Sequence, residues 1–282
     1  MDSSDGSNRN PVVTCEPPRG LLRVNWAELW KYRELWLTFA ARDIKVRYKQ
    51  TLLGALWAIL QPLAAMAVFT VVFSYLAELS TDGNPPQVFY YAGLLPWTFF
   101  AATVTGASQS LIEGSRLITK VYFPRVLIPS SVLGYALVDL ALAALLLLPL
   151  SLVYRVYPTW SILLLPAVLL GLILTSLGAG MLLAALNVKY RDFRYIVPFL
   201  LQIWFFCTPV IYPVSLLRDK LAGAWWINLN PMVGMVVAFR RCLAGQPIDG
   251  YGLAVSTGVG AVLFVVGLAY FRRVEDRFAD IV

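Results

Sequence analysis

Five stretches of this 282-residue chain run for more than twenty residues without a charged side chain: Gln50 to Ala77, Gly83 to Ile112, Val156 to Val188, Tyr195 to Leu217 and Gly250 to Phe271. A helix crosses the ~30 Å hydrocarbon core of a bilayer with about 20 apolar residues, so each stretch is predicted to span a membrane. A sixth, Val126 to Tyr154, is interrupted only by Asp139. One carboxylate in mid-span costs roughly 2.5–3.5 kcal/mol on insertion, which the surrounding leucines offset. The remaining charge-free piece, Leu221 to Phe239, carries Gly223, Asn228, Asn230, Pro231 and Gly234. Such breakers at membrane depth predict short interfacial or re-entrant helices instead of a seventh crossing. The expected fold is an all-α polytopic membrane protein with six transmembrane helices in a domain at residues 51–272. Composition agrees: 59% of residues are hydrophobic and 14% charged, against about 25% charged in soluble domains.

Six crossings put both termini on one side, and the basic residues choose it. Nine Lys and Arg precede the first span, three lie between spans two and three, three between four and five, and three follow the last; the opposite side holds Arg155, Arg218, Lys220, Arg240 and Arg241. The positive-inside rule then places the termini in the cytoplasm. The net charge of +7 is read as encoding that orientation, with no nucleic-acid partner implied. Residues 1–24, polar and proline-containing with no apolar signal region, are expected to be a flexible cytoplasmic tail, and residues 273–282 a short C-terminal one.

Several chemistries are excluded by composition. The chain has no histidine, so a His-ligated zinc, a Ser-His-Asp or Cys-His apparatus and a histidine proton shuttle are all ruled out. Cys15, Cys207 and Cys242 show no metal spacing, and their odd number builds no disulfide framework. No GxxxxGK[ST] pattern occurs; ATP-driven work would therefore require a separate chain to bind the nucleotide. Asp139 is the lone acid within a span, where ion-coupled carriers string several ionisable groups along a path. It is read either as a structural residue paired with a neighbouring helix or with Ser130 or Ser131, or as a substrate contact.

Residues 25–50 are too charged to cross. At 100° per residue Trp26, Leu29, Trp30, Trp36, Leu37 and Ile44 share one face, while Glu28, Lys31, Glu34, Arg42, Lys45 and Lys49 fall opposite. This predicts an amphipathic helix in the cytoplasmic headgroup layer, in contact with membrane lipids. Arg33 and Arg47 lie on the apolar face and Phe39 lies off it. The segment is read as an anchor for the first span, or additionally as a place where Arg42, Arg47 or Lys49 meets a phosphorylated substrate head. Aromatics cluster at span ends, mostly as interfacial belt or packing. Flat rings also suit the C–H faces of sugars, and Trp57, Phe100, Trp204 and Phe206 are the candidate channel-lining rings. The loop between spans two and three, with Glu113, Arg116, Lys120 and Arg125, is read as a stop signal or as a docking knob for a cytoplasmic partner.

Five ordered segments carry a family likeness: RDIKVRYKQTLLGALWAILQPL at 42–63, YYAGLLPWTFF at 90–100, LITKVYFPRVLIP at 117–129, LNVKYRDFRYIVPFLLQIWFFCTPVIYP at 186–213 and LNPM at 229–232. On these the chain resembles the membrane subunit of the polysaccharide ABC exporters, the O-antigen and teichoic-acid permeases. The resemblance implies a homodimer bound to two copies of a nucleotide-binding ATPase subunit, which holds the ATP and Mg; this chain binds no cofactor of its own. It implies export of an undecaprenyl-diphosphate-linked polysaccharide, a lipid-diphosphate entrance near Arg42, Arg47 and Lys49, and an ATPase-coupling element at residues 113–125 that includes Glu113, Arg116, Lys120, Tyr122, Phe123 and Arg125. It further implies that residues 214–243 form short periplasmic gate helices. Two other classes remain to be weighed. A membrane enzyme would need convergent acids or a nucleophile–base pair, which the spans do not offer. A secondary flippase or ion-coupled carrier would work without an ATPase.

Overall fold

The computed structural model describes residues 26–49, 54–118, 123–220, 225–275 and 278. Every regular element among them is helical. Helices α1 (Trp26–Lys31) and α2 (Arg33–Lys49) precede the first long span, in which α3 (Trp57–Phe69) follows a 3₁₀ turn at Gly54–Leu56 and passes into a π-helical stretch at Thr70–Leu76. α4 (Pro86–Glu113) is followed by the single turn α5 (Ser115–Ile118), then by α6 (Leu127–Leu145) and its continuation α7 (Leu147–Val153). A 3₁₀ turn at Trp160–Leu164 leads into α8 (Leu165–Lys189). The chain then forms α9 (Phe193–Phe206), α10 (Val214–Lys220), α11 (Pro231–Ala244) and α12 (Gly250–Glu275).

Among the described residues five helical segments are long and apolar enough to cross a membrane: Gly54–Leu76, Pro86–Glu113, Leu127–Val153, Trp160–Lys189 and Gly250–Glu275. The expected fifth crossing of six, Tyr195 to Leu217, is not one continuous helix. α9 has 14 residues, about 21 Å of rise, which falls short of the ~30 Å core. The cause lies just beyond its C-terminus. Pro209 and Pro213 carry no N–H, and the turn between them is held from outside. Asn230 Nδ2 donates to the Cys207 carbonyl (3.2 Å) and to Thr208 Oγ1 (3.1 Å). Arg240 donates to the carbonyls of Pro209 (3.1 Å), Val210 (3.0 Å) and Phe89 (3.2 Å), with its guanidinium 3.6 Å from the centre of the Phe89 ring. Arg240 is only 6% exposed, although its place in the sequence puts it among the loop charges. A side chain at Gly93 would collide with its guanidinium.

The LNPM segment reads out as a helix start. The Asn230 side chain accepts from the Met232 N–H at 3.0 Å, and Pro231 occupies the first helical position, where a missing N–H is harmless. α11 ends at Gly245, whose φ of 65° closes the helix in the left-handed region.

α4 is the centre of the bundle. Tyr90, Tyr91, Ala92, Leu95, Phe100 and Val104 are fully buried along it, because α3, α6, α8, α9 and α11 all pack against it. α8 lies between α4 and α12. At the α8–α12 seam a Cβ on Gly178 would stand 2.5 Å from backbone atoms of Phe264, and one on Gly267 would meet the Gly178 carbonyl. Small residues let two helix backbones approach where apolar solvent supplies no hydrophobic drive.

α2 packs on α6, and the face it turns inward differs from the predicted one. Phe39 and Ala40 are buried, whereas Trp30 and Leu37 are 71% and 57% exposed. Ala40 fits over Gly134, where a side chain would stand 2.7 Å from its Cβ, and Phe39 packs edge-on against Phe123 with ring centres 5.5 Å apart. Tertiary contact with α6 selects this face, so Phe39, outside the predicted apolar arc, becomes the buried ring.

Arg240→Ala would strand three carbonyls at once. The expected cost is about 3 kcal/mol, read as a fall of several degrees in the thermal unfolding midpoint in detergent. Arg240→Lys, which keeps the charge without the planar fork, should recover part of that loss. An unchanged midpoint in Arg240→Ala would show that the turn after α9 is held by other means.

Candidate functional site

A groove of about 940 Å³ lies between α2, α3, α4 and α6. It takes its shape from helices that approach closely at one point: a Cβ on Gly106 of α4 would collide with the Tyr135 hydroxyl of α6. From there the groove runs along α4 from Trp97 to Glu113. Its walls mix apolar side chains with Gln61, Gln109, Thr98 and Thr105, a combination suited to a polar solute that slides without being held by many directional bonds.

The α2–α6 wall carries the charge. Arg47 pairs with Asp139 at 2.7 Å, and Tyr48 donates its hydroxyl to the other oxygen of the same carboxylate. The Arg47 guanidinium sits 4.7 Å from the centre of the Tyr135 ring, and the Tyr135 hydroxyl donates to the Ala102 carbonyl at 3.2 Å. Arg42 donates to Asp43 through two nitrogens at 2.9 and 2.8 Å, while Ser131 donates to the other Asp43 oxygen at 3.1 Å. Asp139 is thus the structural partner of a neighbouring helix, which is one of the two roles its place in the sequence allows. Ser131 serves Asp43 instead, and Ser130 accepts from Trp36 Nε1 at 3.1 Å. Burial, reinforced by the Asp139 hydrogen bond and charge, holds the Tyr48 phenol well above its ordinary pKa. It therefore remains a donor across the physiological range.

This arrangement bears on the expected lipid-diphosphate entrance. Arg42 and Arg47 line the groove, and each already faces a carboxylate, so an incoming anion must compete with Asp43 and Asp139. Lys49 stands exposed at the end of α2. Tyr48 and Tyr135 are not singled out by the sequence. Their one signal is the isolated acid at 139, which requires a donor set that spacing alone does not name.

The four aromatic candidates separate. Trp57 is 54% exposed and lines the groove, beside Trp97 and Phe99 of α4. Phe100 is fully buried and packs edge-to-face on Trp204 at 4.9 Å. Trp204 is partly buried and donates to Asn230 Oδ1 at 2.8 Å. Both belong to packing within one chain, and neither contributes to the groove wall. Phe206 is 58% exposed at the end of α9, away from the groove.

Of the expected coupling residues, Glu113 ends α4 and lines the groove, and Arg116 lies on α5. Lys120 and Tyr122 lie outside the described residues. Phe123 is buried against Phe39, so it joins this segment to α2. Arg125 is tied to the last helix: its backbone N–H donates to Glu275 Oε1 at 3.0 Å, and its guanidinium donates to the Glu275 carbonyl.

The Arg47–Asp139 pair can be tested by a double-mutant cycle on thermal unfolding. Arg47→Met alone should cost about 1–3 kcal/mol because it leaves a largely buried carboxylate without its cation. Arg47→Met with Asp139→Leu should recover most of that loss. Additive effects would show that the two side chains do not interact.

Comparison with known proteins covers nearly the whole chain. Residues 34–243 match the ABC-2 type transporter family. The chain is 34% identical over 254 residues to the O-antigen export system permease protein RfbA of Myxococcus xanthus, an alignment spanning 90% of this chain and 97% of that protein. It is 29% identical to a protein of the same name from Klebsiella pneumoniae, over 88% of this chain and 95% of that one. It is 25% identical to the polysialic acid transport protein KpsM of Escherichia coli, over 83% and 91%. A helical bundle with five membrane-length segments among its described residues, matched over most of its sequence, this chain belongs to the ABC-2 type transporter family.

Proposed function

We propose that the chain is the membrane subunit of an ATP-driven exporter that moves a lipid-linked, O-antigen-like polysaccharide across the bacterial cytoplasmic membrane. The observation that carries this reading is the near full-length likeness to permeases named for O-antigen export. The groove supports it: a mixed polar and aromatic wall beginning beside Trp57 and Trp97 suits a glycan, and Arg42 and Arg47 offer an anionic head a guanidinium in exchange for an existing carboxylate. The chain carries no Walker A sequence, so two copies of a separate ATPase would bind ATP and Mg and supply the energy.

The working unit is a homodimer. One copy places an open groove on its side and broad apolar surfaces on the π-helical stretch after α3, on α9 and on α12, including Val71, Tyr75, Phe199 and Val265, so a second copy would close the path. The termini face the cytoplasm by the distribution of basic residues. α9 belongs to the remaining, broken passage, and the segment from α10 to α11 acts as an outer gate. ATP-driven closure of the partner subunits would reach the groove through residues 113–125 and α2.

Reconstitution in vesicles tests this reading. Lipid-linked glycan should cross only when the ATPase and ATP are both present, and transport by the chain alone along an ion gradient would establish a secondary carrier instead. Tyr122→Ala combined with Arg125→Ala should lower export and glycan-stimulated ATP hydrolysis together, by tenfold or more. If both rates stay unchanged, residues 113–125 are not the coupling element.

A further inference from the structure

A second cavity, of about 330 Å³, lies at the N-terminal end of α2, apart from the groove at its C-terminal half, and is bounded by α1, α2, α6, α8 and α12. Its inner wall is hydrocarbon: Leu177 and Met181 of α8 face Phe264 and Leu268 of α12. The polar atoms nearby already have partners, since Trp36 Nε1 donates to Ser130 and the Ser130 hydroxyl donates to the Leu127 carbonyl. Nothing inside the cavity calls for a polar ligand. Its mouth is different in kind, with Trp30 and Arg33 beside the first turn of α6.

The depth of the cavity is informative. Leu177 lies about 12 residues from the end of α8 at Lys189 and Phe264 about 11 from the end of α12 at Glu275, which corresponds to roughly 16–18 Å of helix. Half of the ~30 Å hydrocarbon core is about 15 Å. The inner end of the cavity, where it meets one turn of α8 and one of α12, therefore lies about one leaflet's thickness from the ends of those helices, where Lys189, Arg272, Arg273 and Glu275 lie. The mouth is cationic as well. Among the described residues Arg33 pairs with Glu34, 3.9 Å away, with the two side chains 52% and 85% exposed. The guanidinium is propped beside the Trp30 ring at 5.4 Å and donates to the Trp30 carbonyl at 3.3 Å.

We propose that this cavity binds one acyl chain of an anionic glycerophospholipid of the inner leaflet, with the lipid phosphate at Arg33 and the headgroup between Trp30 and Trp36. An apolar pocket whose inner end lies at leaflet depth takes the hydrocarbon of a lipid tail. An exposed guanidinium at headgroup level selects an anionic head, and interfacial tryptophans fix its height. The site is separate from the groove and rests only on the membrane seating of the chain. It would make the seat of α1 and α2 on α6, α8 and α12 dependent on lipid charge.

Phosphatidylglycerol carrying a photoactivatable group on its acyl chain tests the proposal on the full chain reconstituted in vesicles. The label should fall on the peptides holding Leu177, Met181, Phe264 and Leu268. Unlabelled phosphatidylglycerol should displace it about fivefold better than phosphatidylcholine, the preference one basic residue gives at an anionic surface. Arg33→Gln should remove that preference, and Leu29→Trp at the rim should reduce labelling of all four positions. Three results would overturn the proposal: even labelling of exposed faces such as Val262 with no headgroup preference, displacement by a polyprenyl phosphate but not by phosphatidylglycerol, or labelling that appears only after residues 1–24 are removed.

Discussion

The near-complete enclosure of α4 is the constraint on which the rest of the architecture depends. A helix with Tyr90, Tyr91, Phe100 and Val104 at zero exposure needs neighbours on every side, and in a bilayer those neighbours must satisfy their own backbone internally. α3, α6, α8, α9 and α11 take those positions. α12 is then left to pack on the far side of α8, where glycines allow the backbones to meet. Even the phenolic hydroxyl of Tyr91 is provided for, by the Ala143 carbonyl at 2.7 Å. The groove exists because α2 and α3 cover α4 and α6 incompletely.

Much of this was legible in the sequence, and for a physical reason: a charge-free run of sufficient length has few alternatives to a buried or spanning helix. The run from Gly83 became α4 with little shift of its ends, and the run from Val156 became α8, which ends one residue beyond it but starts only at Leu165 after the 3₁₀ turn. The breakers at Asn230 and Pro231 marked a real helix start. Two features were not legible. α9 stops at Phe206 although the charge-free run continues to Leu217: Pro209 and Pro213 stand in that run, but the side chains that hold the turn between them, Asn230 and Arg240, are remote in sequence. The inward face of α2 is chosen by Gly134 and Ser131 on α6, which no helical wheel of residues 25–50 contains.

The candidate site shows the same division. Trp57 could be placed on its helix, and Asp139 announced itself as the odd charge in an apolar run, whereas Glu113, expected in the coupling element, also lines the groove. Phe100 and Trp204 look the same as Trp57 in sequence, yet each is absorbed into packing within the chain. Aromatic content does not distinguish a ring that lines a path from one that fills a core; neighbouring helices decide. The charges of α2 are similarly reassigned by context. Arg42 and Arg47 are both held in carboxylate pairs, so the polar wall is closer to electrical balance than the basic sequence of α2 suggests.

The contact between Arg125 and Glu275 joins positions 150 residues apart in the chain. Since a backbone amide and a guanidinium from one residue both terminate on the other, and Phe123 packs on Phe39 two residues earlier, the short stretch 123–125 serves as a common bearing for α2, the start of α6 and the end of α12. Through that bearing the seats of three helices depend on one another, and removing any one contact alters the footing of the other two.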